Sequence, residues 1–324
     1  MRKIIGNERG IALILVILIL SVIVAVTIQL NLSSRAEVYE AANMRDGITL
    51  TYIAKSGFNG GRVLLKEDMN NFDSLTEDWA QAGAVSAASG SLFDDGYFSL
   101  AIEDETGKIQ VNSLVPGSGF NPDVEAVLLR FLSLSEFGLT EEEARDIVDA
   151  IKDWIDEDDE VTGFGAEDLY YRGLNPPYRC KNGPMDCIDE LLMVKGVTRE
   201  LYYGEGEVPG ICKFLSVHGN GKININTAPK VVFKALSVDI TDEMASEMDA
   251  YRRDEANELS QPGWYRSVQG MADITIPNTI ITSKGSVFSI TSTGYLNTMT
   301  RTVTGIVEKN TENRTLKLLS WNVR

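Results

Sequence analysis

Eight carboxylates fall within sixteen residues, Asp153-Trp-Ile-Asp156-Glu157-Asp158-Asp159-Glu160-Val-Thr-Gly163-Phe-Gly165-Ala-Glu167-Asp168, with no basic residue among them. So much like charge at close range is costly unless water or a cation intervenes. Counted from Asp156, acidic side chains stand at loop positions one, three, five and twelve: Asp156, Asp158, Glu160 and Glu167. Those are ligand positions of an EF-hand-type calcium loop, in which hard oxygen donors converge on one ion. The sixth position is Val161, where that loop requires glycine, and the glycines come later, at Gly163 and Gly165. The spacing therefore predicts a calcium loop of another geometry on Asp156, Asp158, Glu160 and Glu167, with Asp153, Asp159 and Asp168 as alternates. Calcium outranks magnesium because the donors are many and flexible. A solvated acidic loop capping a helix that ends near Ile155 is the competing reading of the same residues.

Other chemistry is thin. Three cysteines, Cys180, Cys187 and Cys212, allow at most one disulfide, and Cys180–Cys187, which enclose Asn182-Gly183-Pro184, are the expected pair. Zinc is disfavoured, because the cysteines lack C-x-x-C spacing and His218 is the lone histidine. His218 sits beside Gly219-Asn-Gly221 and reads as a turn residue. With no G-x-S-x-G elbow, P-loop or H-E-x-x-H in the sequence, no catalytic residue is nominated and the chain is expected not to be an enzyme. Gly221-Lys-Ile-Asn-Ile-Asn-Thr-Ala-Pro229, followed by Val231 to Leu236, looks like half of a helix-hairpin-helix module, with Asn226 or Thr227 as its cap. Its hairpin lacks glycine, and the next helix carries Asp242, Glu243, Glu247 and Asp249. With a net charge of −17 the chain repels phosphate, so a packing module is expected and nucleic acid is not. A membrane-anchored DNA receptor remains the competing function from a different class.

These residues need elements to hold them. A charged head, Met1 to Gly10, meets an apolar run from Ile11 to Leu30 whose only polar side chains are Ser21, Thr27 and Gln29. About 20 apolar residues suffice to cross a bilayer. Arg2, Lys3 and Arg9 precede the span, which keeps the head cytoplasmic and exports the rest. The helix is expected over 11–56, its membrane part over 11–30, with glycines at 57, 60 and 61 loosening the pattern. Gln81 to Ser91 reads as a loop. Gly96 to Glu103 and Lys108 to Asn112 alternate apolar and polar residues as a β-hairpin hinged at Glu105-Thr-Gly107, and 287–293 with 300–307 repeat that signal. Strands at both ends predict an α+β head (57–120 and 274–324) interrupted by an inserted α-helical domain (121–273) that carries the acidic loop. Helix starts are marked by Asn121-Pro122, by Thr140 with Glu143, by Thr227-Ala-Pro and by Thr241; Ile188 to Val194 reads as a short helix stopped at Gly196.

The junction Gly10–Ile11 resembles a prepilin leader, cut on the cytoplasmic side of the apolar segment so that the helix is retained. That leader, Asp153-Trp-Ile-Asp156-Glu-Asp158, Gly165-Ala-Glu-Asp168, Tyr178-Arg-Cys-Lys-Asn182, Glu190-Leu-Leu-Met-Val-Lys-Gly196 and Ile223-Asn-Ile-Asn-Thr-Ala228 follow in the order of the minor pseudopilin K family of type II secretion systems. The resemblance implies a pseudopilin fold, a long N-terminal helix packed on an antiparallel sheet with a large helical insertion. It implies calcium in the head, the minor pseudopilins I and J and the major pseudopilin filament as partners, and prepilin peptidase as processing enzyme. The implied location is the bacterial inner membrane, single-pass, with the bulk in the periplasm. Most pilins carry glutamate at the fifth mature position, where it neutralises the amine of the subunit above. Here that position is Leu15, as in the K family, which fits a filament tip with nothing above it. A minor type IV pilin shares the leader and is the nearest alternative.

Overall fold

The computed structural model describes residues 8–117, 119–310 and 313–324. Met1 to Asn7, most of the expected leader, lie outside the described residues. The chain opens with α1 (Glu8–Glu67), whose 60 residues make a rod about 90 Å long at ~1.5 Å per residue. From Ile11 to Glu40 every residue is exposed, including the apolar run, which is long and apolar enough to cross a membrane. The second half buries a stripe of Leu50, Ile53, Ala54, Phe58 and Leu65.

The helix passes the boundary expected at residue 56, because the glycines there make contact instead of ending it. A Cβ on Gly57 would sit 2.2 Å from Ser292 Oγ and 2.6 Å from the Phe98 ring; one on Gly61 would lie 2.8 Å from Ile290 Cγ2. The helix backbone therefore rests directly on the sheet. The segment expected as a loop instead holds α2 (Gly83–Ala88) and a 3-10 turn (Ser89–Ser91), followed by β1 (Tyr97–Asp104). Alanine favours helix, and the small side chains let α2 lie close against β1.

After β1 the expected hairpin does not form. The Asp104 carboxylate accepts the Thr106 N–H (2.8 Å) and the chain makes a single 3-10 turn, sending Ile109 and Val111 into a different core. β2 (Ile109–Gln110) begins the insertion. Then come α3 (Pro122–Leu132), α4 (Glu141–Ile155), α5 (Asp168–Arg172), α6 (Arg199–Tyr203), a ribbon of β3 (Gly204–Glu205) and β4 (Val208–Pro209), β5 (Leu215–Ser216), β6 (Ile223–Asn224), α7 (Lys230–Leu236), α8 (Asp242–Arg253) and β7 (Ile281–Thr282). β2 pairs in parallel with β5, and β6 with β7. The caps are as expected: Asn121 accepts from Asp123 and Val124 N–H, Thr140 and Glu143 form a capping box, and Thr241 accepts from Met244 N–H. Residues 188–193 form a 3-10 turn rather than an α-helix, and Gly196 follows at φ +85. Asn226 and Thr227 do not cap α7, which starts after Pro229. One continuous core runs from Ile109 to Ile281, around Phe131, Trp154, Tyr171 and Phe233, so the insertion is wider than residues 121–273.

The chain returns as β8 (Val287–Leu296), β9 (Met299–Asn310) and β10 (Thr315–Val323). β8 and β9 form the expected hairpin, turning at Asn297 with φ +54. The sheet is antiparallel in the order β1-β8-β9-β10, so β1 pairs with a strand that follows it only after the entire insertion. α1 and this sheet enclose the second core.

Candidate metal centre

The acidic loop hangs from the C-terminal end of α4, whose Asp149 and Asp153, four residues apart on one helix face, fold it. Both oxygens of the fully buried Asp153 accept the Thr162 N–H (3.0 and 3.2 Å), and Asp149 Oδ2 accepts from Phe164 N–H (3.2 Å). The glycines of the loop answer to these carboxylates. A Cβ on Gly163, at φ +51, would fall 2.2 Å from Asp149 Oδ2, and one on Gly165 would fall 2.1 Å from Asp153 Oδ2. Only glycine lets the loop backbone come this near, and the turn brings the end of α4 against the start of α5.

There Asp156, which ends α4, meets Glu167, which precedes α5, and Asp158 joins them; one carboxylate oxygen from each lies within 4.8 Å of the others. Both Glu167 oxygens and one Asp156 oxygen are buried with no hydrogen-bond partner, as is Asn182 Oδ1. Asn182 sits against the loop, its amide donating to Asp158 O (2.8 Å) and Asp159 Oδ1 (3.0 Å). Burial, then the charges of Asp153 and Asp156, pushes the Glu167 carboxyl up to about 7. Burial, then Asp158 and Asp153, pushes Asp156 up to about 6. Buried carboxylate oxygens without donors are expensive, and a hard divalent cation is the group whose chemistry satisfies them. The donor set fits calcium.

The other residues of the cluster are differently employed. Glu160 is not brought to the three: it is exposed, and its N–H donates to Asp158 Oδ1 (2.8 Å), shaping the loop. Asp168 accepts from Cys180 N–H and pairs with Arg172 (2.6 Å). Sequence reasoning did not single out Asn182 beside the loop, whose φ of +46 is one that asparagine tolerates.

The expected Cys180–Cys187 disulfide is not formed; all three cysteines are free. Cys180 is buried behind the loop, its thiol donating to Asp153 O (3.5 Å), and burial pushes that thiol up to about 12. Cys187 is exposed, its N–H turned to Glu190. Asp186 pairs with Lys181, and Asp189 accepts from Tyr202 Oη. Asp68, Asp73 and Glu77 form a second acidic group, and the Lys309 ammonium pairs with Asp68 and Asp73 (2.5 and 2.9 Å).

That lysine belongs to the junction between head and insertion, where the Ile223-to-Ala228 motif does its work. Asn224, fully buried, donates to Asp104 Oδ2 (2.7 Å) and to Asp73 O (3.0 Å), and Thr227 donates to the same Asp104 oxygen (2.8 Å). Asn226 donates to Leu259 O and Ser283 O and accepts from the Trp264 indole (2.7 Å). Burial raises the Asp104 carboxyl, and these donors pull it back. The motif that looks like half of a helix-hairpin-helix module is a buried clamp.

Residues 107–204, which hold the whole acidic loop, match the family described as type II secretion system (T2SS), protein K. The chain is 31% identical over 232 residues to the type II secretion system protein K of Aeromonas hydrophila, covering 68% of this chain and 67% of that one. This chain belongs to the type II secretion system protein K family. The family member of Pseudomonas aeruginosa is 27% identical over 240 residues, 71% of this chain and 68% of its own. The fold is shared with a chain in the crystal structure of the GspK-GspI-GspJ complex from the enterotoxigenic Escherichia coli type 2 secretion system. The TM-score is 0.67 at 17% identity, over 89% of this chain and 99% of that one. As a protein K, the chain is a type II secretion pseudopilin: the long helix on an antiparallel sheet is the pseudopilin fold, and the helical insertion sits between its adjacent strands β1 and β8.

Proposed function

We propose that this pseudopilin is a non-enzymatic, calcium-stabilised subunit at the tip of the secretion pseudopilus, assembled with minor pseudopilins I and J on the major pseudopilin filament. The observation that carries the reading is the insertion of residues 105–286 between two neighbouring strands of the head. Subunits that stack through their N-terminal helices leave room for a head of modest width, and one enlarged this way fits an end better than a shaft. Leu15 points the same way, since it supplies no carboxylate for the amine of a subunit above. The solved relative, by its description, is a complex of K with I and J, which supports the same partners here. The exposed apolar half of α1 supports a single-pass anchor in the inner membrane with the head in the periplasm.

Calcium would be held by Asp156, Asp158 and Glu167, with Asn182 beside them. It would supply the positive charge that their buried oxygens lack and tie the end of α4 to the start of α5. Intact mass and N-terminal sequencing of protein from native membranes test the processing step. A chain starting at N-methylated Ile11, with Gly10 as the last leader residue removed by prepilin peptidase, is expected. A chain starting at Met1 moves the anchored-receptor reading forward, and a duplex-DNA titration then decides it, with no binding expected.

A further inference from the structure

The two edges of the sheet are treated differently. On β1 the outer edge is closed by side chains. Ser89 Oγ donates to Phe98 O (2.9 Å) and accepts from Phe98 N–H (3.1 Å), while Ser86 Oγ accepts from Leu100 N–H (2.8 Å). β10, at the opposite edge, has no strand on its outer side among the described residues. Thr302 and Arg324 exchange both backbone hydrogen bonds (2.9 Å each). Antiparallel pairing alternates, so Val323 and, two residues back, Trp321 turn their N–H and C=O groups outward. The side chains there are apolar and half-covered. Trp321 stacks edge-on against Phe58 of α1 at 4.7 Å and is still 40% exposed; Leu318 and Val323 are 48% and 38% exposed.

The charge of this edge is opposite to that of the molecule. In a chain of net charge −17, residues 313–324 contain Arg314, Lys317 and Arg324 and no acidic side chain. A groove of about 400 Å³ runs between the start of β10 and α1, and its charged walls are Arg62, Lys66 and Arg314. The nearest carboxylate on β9, Glu308, lies 3.7 Å from Lys317 and is itself half exposed.

We propose that β10 is a docking edge for an extended acidic segment of another polypeptide. The segment would add to the sheet as a fifth strand, pairing with the outward groups of Trp321 and Val323. Main-chain hydrogen bonds would give affinity, and the basic rim would select the partner. The same charges argue against a second copy. In an antiparallel pair of β10 strands centred on Leu319, Arg314 of each strand faces Arg324 of the other, and like charges across a ladder destabilise it. The bulge between Leu318 and Ser320 interrupts the edge, so an added strand would pair with its second half, at Trp321 and Val323. The proposal concerns this surface alone and does not depend on the tip assignment.

The test uses the full chain in detergent at low salt and two fluorescein-labelled ten-residue peptides, one alternating valine with glutamate, the other valine with lysine. The acidic peptide is expected to bind at least tenfold more tightly. Val323→Pro removes an outward N–H without touching the bonds to β9, and is expected to weaken binding at least tenfold with the thermal melt unchanged. The double variant Arg314→Glu/Lys317→Glu is expected to reverse the peptide preference. Equal affinity for both peptides, no binding of the acidic one, or undiminished binding by folded Val323→Pro would overturn the proposal. A concentration-dependent dimer in sedimentation that Val323→Pro abolishes would also overturn it, assigning the edge to a second copy.

Discussion

Glu167 enters the inserted domain with both carboxylate oxygens buried and unpartnered, a cost that a bound cation would offset. Glu167→Gln should therefore separate two effects. The wild type is expected to melt higher in calcium than in chelator; the variant is expected to melt no lower than wild type in chelator and to lose most of that rise. A calcium-dependent rise of wild-type size in the variant would remove Glu167 from the ligand set. The pH dependence follows from the same groups. Asp156 and Glu167 rise to about 6 and about 7 in the folded state from 3.8 and 4.5. Between those values the folded chain binds more protons than the unfolded, so stability of the ion-free protein falls as pH rises through that window. Melting in chelator is expected to be higher at pH 5 than at pH 8. The calcium increment should run oppositely, largest at pH 8 and small at pH 5, where protons compete for the same oxygens. Three of the four ligands expected from spacing converge because they flank two helix ends. Glu160 does not, because the path of the loop is set by Asp149 and Asp153, contacts that a count along the chain does not reveal.

At the scale of elements, what was legible is local. The caps at Asn121, Thr140 and Thr241 each satisfy N–H groups two or three residues away, so the sequence alone locates those helix starts. The partner of β1 was not legible, since it lies beyond the insertion, and Asp104 diverts the chain from the nearer segment. β10 escaped because its bulge breaks the period-two pattern by which strands are recognised. The glycines of α1 were misread for a related reason: in sequence a glycine weakens a helix, whereas here it sets how near the helix lies to the sheet. Two substitutions separate these roles. Gly57→Val, whose Cβ meets Ser292 and Phe98, is expected to cost about 1–3 kcal/mol from overpacking. Gly60→Ala, which meets nothing within 4 Å, is expected to gain about 0.5–1 kcal/mol from helix propensity. Denaturant melts of the full chain in detergent measure both, and equal destabilisation by the two would contradict the packing described for α1.

For the whole molecule, the head and the insertion must turn as one body if contacts made by one are to fix the other. The buried clamp of Asn224, Thr227, Asp104, Asp73 and Lys309 provides that continuity. Asn224→Ala leaves Asp104 short of a donor and is expected to cost about 1–3 kcal/mol. Limited proteolysis should then cut first near residues 105–108, and a cleavage pattern identical to wild type would show that the clamp does not join the two parts. The most direct measurement is electron microscopy of pseudopili carrying a gold-labelled tag on this chain, with the label counted and located on each filament. One label at a single end of each filament is predicted; labels distributed along the shaft, or filaments without any, would contradict the tip assignment.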